Sequence, residues 1–242
     1  MAEMCQLHVY DCALREVVPI RMVATTILVA GGMLAAQTWA VTAHADPQTC
    51  PPVCDRIPGS AWMAPEAVPL NAAYQWPSLA AAAVPLTGTT TRFRFEELCA
   101  TPAFAQDTRD SAVVGRARVV NPDGQWQLWA QILHWRGDTA RGGQNASTVF
   151  GIAAAALRGC QLGAPAESPS VTTGGPDRLA AVISGPVVMH TYLVAQPQSS
   201  TISELTLWSS SPPQLPWPVI SDDQVLDAMT APLCAAYIAS CP

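Results

Sequence analysis

The stretch that most constrains the fold runs from Ala112 to Trp135 and reads as two alternating strands joined by a turn. Between the strands, Asn-Pro-Asp-Gly at 121–124 supplies residues that tight turns favour. Because side chains alternate between the two faces of a strand, a pairing that keeps one face apolar fixes the register. A four-residue loop meets this condition. The apolar face then consists of the pairs Val119–Trp126, Ala117–Leu128, Gly115–Ala130 and Val113–Ile132.

The opposite face of this hairpin is polar and carries isolated aromatic residues. The same register pairs Arg118 with Gln127 and Arg116 with Trp129, which predicts a cation–π contact. Arginine and aromatic residues dominate binding hot spots, so this face suits an anionic glycan or a protein partner. The alternative is that the proline-rich segment before the hairpin covers it. The candidate binding residues are Arg116, Arg118, Gln127, Trp129, Gln131, Trp135 and, on a later strand, Trp208.

Prolines are dense between residues 46 and 90, and each one fixes φ and removes a backbone donor. We therefore predict an irregular N-terminal arm over 46–90, with one short helix that starts at Pro77. Residues 91–242 are predicted to form a single domain.

Helix and strand signals follow the hairpin in a regular order. A helix is predicted with Asn145 or Ser147 as its N-cap and Gly159 near its end. Three strands follow, at 179–184, 187–195 and 201–209, and a last helix begins at the Ser221 capping box and is kinked or broken at Pro232. This order predicts an α+β fold: an antiparallel sheet of about five strands with helices packed on one face, braced by disulfides.

Residues 1–45 are predicted to be a signal peptide. The 22 residues from Met22 to Ala43 carry no charge, and Ala43-His44-Ala45 fits the small-x-small cleavage rule. Cleavage between Ala45 and Asp46 would release a secreted or cell-envelope protein without a membrane span. One alternative is a retained anchor, because 22 uncharged residues can cross a bilayer. Another is a translation start nearer Met22, because residues 1–21 contain three acidic side chains.

The cysteine count points to an exported, disulfide-braced protein. Removing the leader leaves an even number of cysteines, and disulfides are the default in an oxidising compartment. We favour bridges from the arm to the C-terminal helix and one between Cys99 and Cys160, although other pairings stay open. The six cysteines are Cys50, Cys54, Cys99, Cys160, Cys234 and Cys241.

Charge and motifs restrict the function. The net charge is −6 and the chain has no lysine, which argues against nucleic acid as a partner. No metal-ligand or cofactor motif is present, so neither is predicted. Only His134 and His190 lie beyond the leader, and no nucleophile elbow accompanies them. A secreted hydrolase with a dispersed Ser/His/Asp site is therefore the alternative to a non-enzymatic binding domain.

The order of elements from Ser111 to Cys241, with Cys160 after one helix and Cys234 in the last, resembles a known family. It is similar to the exported sensor-type domain of mycobacterial receptor Ser/Thr kinases and related lipoproteins. The leader "AHADP" is also similar to those of many uncharacterised actinobacterial secreted proteins. The resemblance implies a disulfide-braced antiparallel sheet with a cleft, but Cys241, the arm and the lack of a kinase domain depart from it. We predict a binding domain for a cell-wall glycan, a lipid or a secreted protein.

Overall fold

Seven antiparallel strands form one sheet in the computed structural model, which describes residues 56–86 and 91–237. The strands are β1 Val84–Leu86, β2 Val113–Val119, β3 Gln127–His134, β4 Ser168–Gly174, β5 Arg178–Ser184, β6 Val187–Gln196 and β7 Thr201–Ser210. Their order across the sheet is β1-β2-β3-β7-β6-β5-β4. The antiparallel α+β class is confirmed.

The predicted number of about five strands is wrong because β1 and β4 were missed. Each carries a proline, Pro85 in β1 and Pro169 in β4, and proline within a run argues against a strand. Both are edge strands, where a missing backbone donor is tolerated. The three later strands were predicted to within one residue at each end.

Six α-helices lie within the described residues. They are α1 Asn71–Tyr74, α2 Leu79–Ala82, α3 Arg94–Leu98, α4 Thr139–Arg158, α5 Cys160–Gly163 and α6 Asp222–Ala236. The capping box of α6 is confirmed: Ser221 Oγ accepts from the Gln224 amide, and Gln224 Oε1 accepts from the Ser221 amide. Of the kink or break predicted at Pro232, the break does not occur, because α6 continues to Ala236.

Helix α4 begins earlier than predicted. Its N-cap is Asp138, whose carboxylate accepts a hydrogen bond from the Arg141 amide, and neither Asn145 nor Ser147 caps it. The first turn was not predicted because it contains Gly142 and Gly143, and glycine is a poor helix former. They are needed for close approach: a Cβ at Gly143 would lie 2.6 Å from the Pro197 carbonyl oxygen. The predicted end at Gly159 is confirmed.

Helices cover both faces of the sheet, so the prediction that they pack on one face is wrong. On one face, α4 packs its apolar side, including Val149 and Phe150, over β4, β6 and β7. On the other face, α6 and the arm residues 57–83 form a second core. Strand β6 is buried on both faces, because Leu193 belongs to the first core and Val194 to the second. Strands buried on both faces read as continuous apolar runs, as β5 and β6 do.

The register of the β2–β3 hairpin differs from the predicted one by two residues. Ala117 pairs with Ala130 and Arg118 with Trp129, so the loop spans residues 120–126 instead of four. Two side-chain hydrogen bonds between Asn121 and Gln127 close this longer loop. A shift of two residues keeps every side chain on its predicted face, because the strand repeat is two.

The disulfide between Cys99 and Cys160 is confirmed, with the two Cα atoms 4.7 Å apart. It ties the residue after α3 to the start of α5. Cys234 is also disulfide-bonded. The remaining cysteines, Cys50, Cys54 and Cys241, lie outside the described residues, as do Ala45, Asp46 and the whole predicted signal peptide.

Replacing Cys99 and Cys160 together by alanine should lower the free energy of unfolding by about 2–4 kcal/mol. The bridge closes a loop with a sequence separation of 61, and closing a long loop removes entropy from the unfolded chain. Urea denaturation of the oxidised proteins measures the change. A loss below about 0.5 kcal/mol would contradict a stabilising role.

Candidate functional site

The face that carries α4 is open above β2, β3 and the end of β7. There the pairing aligns Arg116 with Gln131 and Glu204, and Arg118 with Trp129 and Thr206. A cleft of about 550 Å³ lies over these rows. We name it the arginine cleft; its lining residues are Ala82, Val84, Arg94, Glu97, Arg116, Arg118, Trp129 and Trp208.

Two guanidinium groups in the arginine cleft stack on tryptophans. The Arg116 guanidinium carbon lies 4.0 Å from the ring centroid of Trp129, and that of Arg94 lies 4.7 Å from the ring centroid of Trp208. The predicted contact between Arg116 and Trp129 is therefore confirmed. It forms between diagonal neighbours instead of directly opposed residues, and long side chains reach across that distance.

The arginines of the cleft differ in how much of their charge is already used. Arg116 donates from Nε and Nη2 to Gln131 Oε1 at 3.0 and 2.8 Å, and burial lowers its pKa. Arg94 forms an ion pair with Glu97. Arg118 is exposed and has neither an ion pair nor a side-chain hydrogen bond within residues 56–86 and 91–237. Its guanidinium can therefore bind an incoming anion.

A buried glutamate lies at the centre of the sheet beside this cleft. Glu204 is fully buried, and its Oε1 accepts from the Arg94 amide at 2.7 Å and from the Thr206 hydroxyl at 3.2 Å. Its Oε2 has no partner among the described residues. Burial raises the pKa of Glu204 to about 8, against the opposing effect of the Arg94 hydrogen bond. At neutral pH the side chain is mostly uncharged and does not cancel the positive charge of the cleft.

Four of the seven predicted binding residues line the arginine cleft: Arg116, Arg118, Trp129 and Trp208. Gln131 is fully buried and orients Arg116 from below. Gln127 lines an adjoining cleft. Trp135 does not line either cleft, because its ring is in the core and its Nε1 donates to the Thr108 carbonyl oxygen.

Arg94 and Glu97, which line the cleft from α3, were not among the predicted binding residues. Their position depends on a hydrogen bond between residues 110 apart, which no local pattern encodes. The described part of the arm, residues 56–86, does not cover the polar face. Its residues Trp62, Trp76 and Leu79 pack on the opposite, apolar face, and within residues 56–86 only Ala82 and Val84 line the cleft.

Both histidine rings stack on aromatic side chains. His134 Nδ1 lies 3.3 Å from the hydroxyl of Thr201, which is fully buried, and its ring stacks on Tyr237. The His190 ring stacks on Trp217 with centroids 3.6 Å apart, and burial lowers its pKa to about 4. Within the described part of the chain, neither ring has a hydrogen bond to a serine or a cysteine side chain.

The described residues contain neither a cluster of metal ligands nor a membrane-spanning helix. No group of three or more His, Cys, Asp or Glu side chains in 56–86 and 91–237 could hold a metal ion. In the same residues no helix combines the length and the apolar character needed to cross a bilayer.

Comparisons of the chain with family models, curated proteins and solved structures find no match.

Replacing Glu204 by glutamine should remove a pH dependence of stability. The folded protein keeps the Glu204 proton up to about pH 8, whereas the unfolded chain releases it near the ordinary pKa of 4.5. Stability should thus fall as the pH rises from about 4.5 to about 8 in the wild type, and fall less in Glu204→Gln.

Urea denaturation of both proteins at several pH values between 5 and about 8.5 tests this prediction. Glu66→Gln is the matched control, because Glu66 is exposed and no side-chain hydrogen bond holds it in the described structure. Equal slopes of stability against pH in the wild type and Glu204→Gln would contradict a proton held at Glu204.

Proposed function

We propose that this chain is a non-enzymatic binding domain of the secreted or cell-envelope space, and that the arginine cleft holds the anionic part of its ligand. The observation that carries the proposal is Arg118, an exposed cation without an ion pair in the described residues, beside two arginine–tryptophan stacks. Guanidinium groups bind carboxylates and phosphates through paired hydrogen bonds.

The surroundings of the cleft support an anionic ligand more than a cationic one. Its lining contains three arginines and one carboxylate, Glu97, which is already paired with Arg94. Glu204 is mostly neutral at pH 7 because its pKa is about 8. The ligand therefore meets local positive charge on a chain whose net charge is −6.

The resemblance to exported sensor-type domains supports the same class of function, since it implies a cleft on a disulfide-braced sheet. The Cys99–Cys160 bridge is consistent with an oxidising compartment. Among the partners predicted from the sequence, a cell-wall glycan, a lipid headgroup or an acidic segment of a secreted protein could each supply the anion.

Arg118→Gln should weaken binding of an anionic ligand by about 10- to 100-fold, because it removes a charge-assisted hydrogen bond. Isothermal titration of residues 46–242 with three anionic probes provides the test. The probes are a hyaluronan hexasaccharide, vesicles with phosphatidylglycerol, and hexaglutamate. Arg118 is a better target than Trp129, because Trp129 is only 7% exposed and its removal would leave a cavity.

Arg158→Gln is the matched control, since Arg158 is an exposed arginine in the last turn of α4 and lines neither cleft. The proposal expects this variant to bind like the wild type. If none of the three probes binds, or if the Arg118 and Arg158 variants lose equal affinity, the arginine cleft is not an anion site.

A further inference from the structure

We infer that the ligand is an extended oligosaccharide in which an acidic sugar lies next to a neutral, hydroxyl-rich sugar. This inference rests on the proposed anion-binding function of the arginine cleft and adds the class of molecule that carries the anion. It comes from a second cleft that adjoins the first and has a different chemistry.

The second cleft has a volume of about 470 Å³ and shares Arg94, Arg118 and Trp208 with the arginine cleft. We name it the loop cleft, because the loop between β2 and β3 forms one wall. Its distinguishing residues are Asn121, Asp123, Gln125, Gln127, Val187 and Ser210. Three shared residues make the two clefts one continuous groove.

The groove is too long for a single small acid. Arg116 in β2 lines its first part, and Val120, the residue that follows β2, lines its second. Four residues of extended chain cover roughly 13 Å. A single sugar ring occupies less than half of that length, so a ligand that fills the groove contains several linked units.

The two parts of the groove favour different groups. The arginine cleft offers guanidinium groups to an anion. In the loop cleft, the side chains of Asp123, Gln125 and Ser210 have no hydrogen-bond partner among residues 56–86 and 91–237. A carboxylate, an amide and a hydroxyl together accept from and donate to sugar hydroxyls, whereas Asp123 repels a second anion.

The position of the groove favours a glycan over a peptide. Extended peptides usually bind by adding a strand to an open sheet edge, where backbone groups are unpaired. This groove lies over the faces of β2, β3 and β7; β3 and β7 pair with a strand on both sides, and β2 does so over residues 114–116. A ligand here is held by side chains, and the half-buried ring of Trp208 at the junction provides apolar contact for the CH groups of a sugar ring.

The test compares four sugars by isothermal titration: glucuronic acid, a hyaluronan tetrasaccharide with alternating acidic and neutral units, a tetramer of galacturonic acid, and a tetramer of N-acetylglucosamine. We expect the alternating tetrasaccharide to bind tightest, about tenfold or more above glucuronic acid. The neutral tetramer should bind weakest, because it leaves Arg118 without an anion. Hexaglutamate is included as an extended acidic peptide.

Two variants address the loop cleft directly. Ser210→Tyr places a bulky ring in it and should lower the affinity for the alternating tetrasaccharide about tenfold, while glucuronic acid binds unchanged. Ser170→Tyr is the matched control, at an exposed strand position on the far edge of the sheet. Asp123→Asn should raise the affinity for the galacturonic acid tetramer by up to about fivefold, because it removes a repulsive charge.

The outcomes separate this inference from the function on which it rests. Loss of all acidic ligands in Arg118→Gln, together with equal binding of glucuronic acid and the alternating tetrasaccharide, would keep the anion site and overturn the extended ligand. An unchanged tetrasaccharide affinity in Ser210→Tyr would do the same. Hexaglutamate binding tighter than the alternating tetrasaccharide would replace the glycan by an acidic peptide. No binding of any acidic probe would overturn both proposals.

Discussion

The hydrogen bond from the Arg94 amide to Glu204 fixes the wall of the candidate site. Its acceptor is fully buried at the centre of the sheet, so breaking the bond would leave the Glu204 carboxyl with only the Thr206 hydroxyl as a donor among the described residues. The Cys99–Cys160 bridge holds the other end of the same segment against α5. These two attachments hold Arg94 over Trp208, and Arg94 in this position forms one wall of the arginine cleft.

Two kinds of buried acidic group lie beneath the arginine cleft: carboxylates in ion pairs, and one carboxyl that keeps its proton. Glu96 and Arg109 form a buried ion pair of 2.6 Å, and Arg109 also binds Asp107. A buried pair of this kind contributes little net stability, because both charges lose hydration, but it fixes the position of α3. Glu204, in contrast, avoids ionisation at neutral pH. The positive charge that reaches the cleft therefore comes from arginines whose charge is not cancelled by the carboxyl below.

The alternation of polar and apolar residues correctly predicted which side chains share a face of the sheet. Alternation placed Arg116, Arg118 and Trp129 on one face even though the register was two residues off, because both registers keep the same faces. Strands β1 and β4 and the first turn of α4 were missed where proline and glycine serve tertiary positions at sheet edges and close contacts. The place of Arg94 and the face chosen by the arm depend on contacts between distant residues, which the sequence does not display.

Arginine, and not lysine, is the residue that this site requires. The Arg116 guanidinium stacks on Trp129 with its flat face and donates to Gln131 with its edge, which a lysine ammonium cannot do at once. Arg116 thus serves mainly to shape the cleft, while Arg118 keeps its hydrogen-bonding edge for a ligand. Because the chain carries a net charge of −6, long-range attraction does not guide an anion to this site. At physiological salt the screening length is only about 8 Å. The groove must therefore recognise its ligand by direct contact.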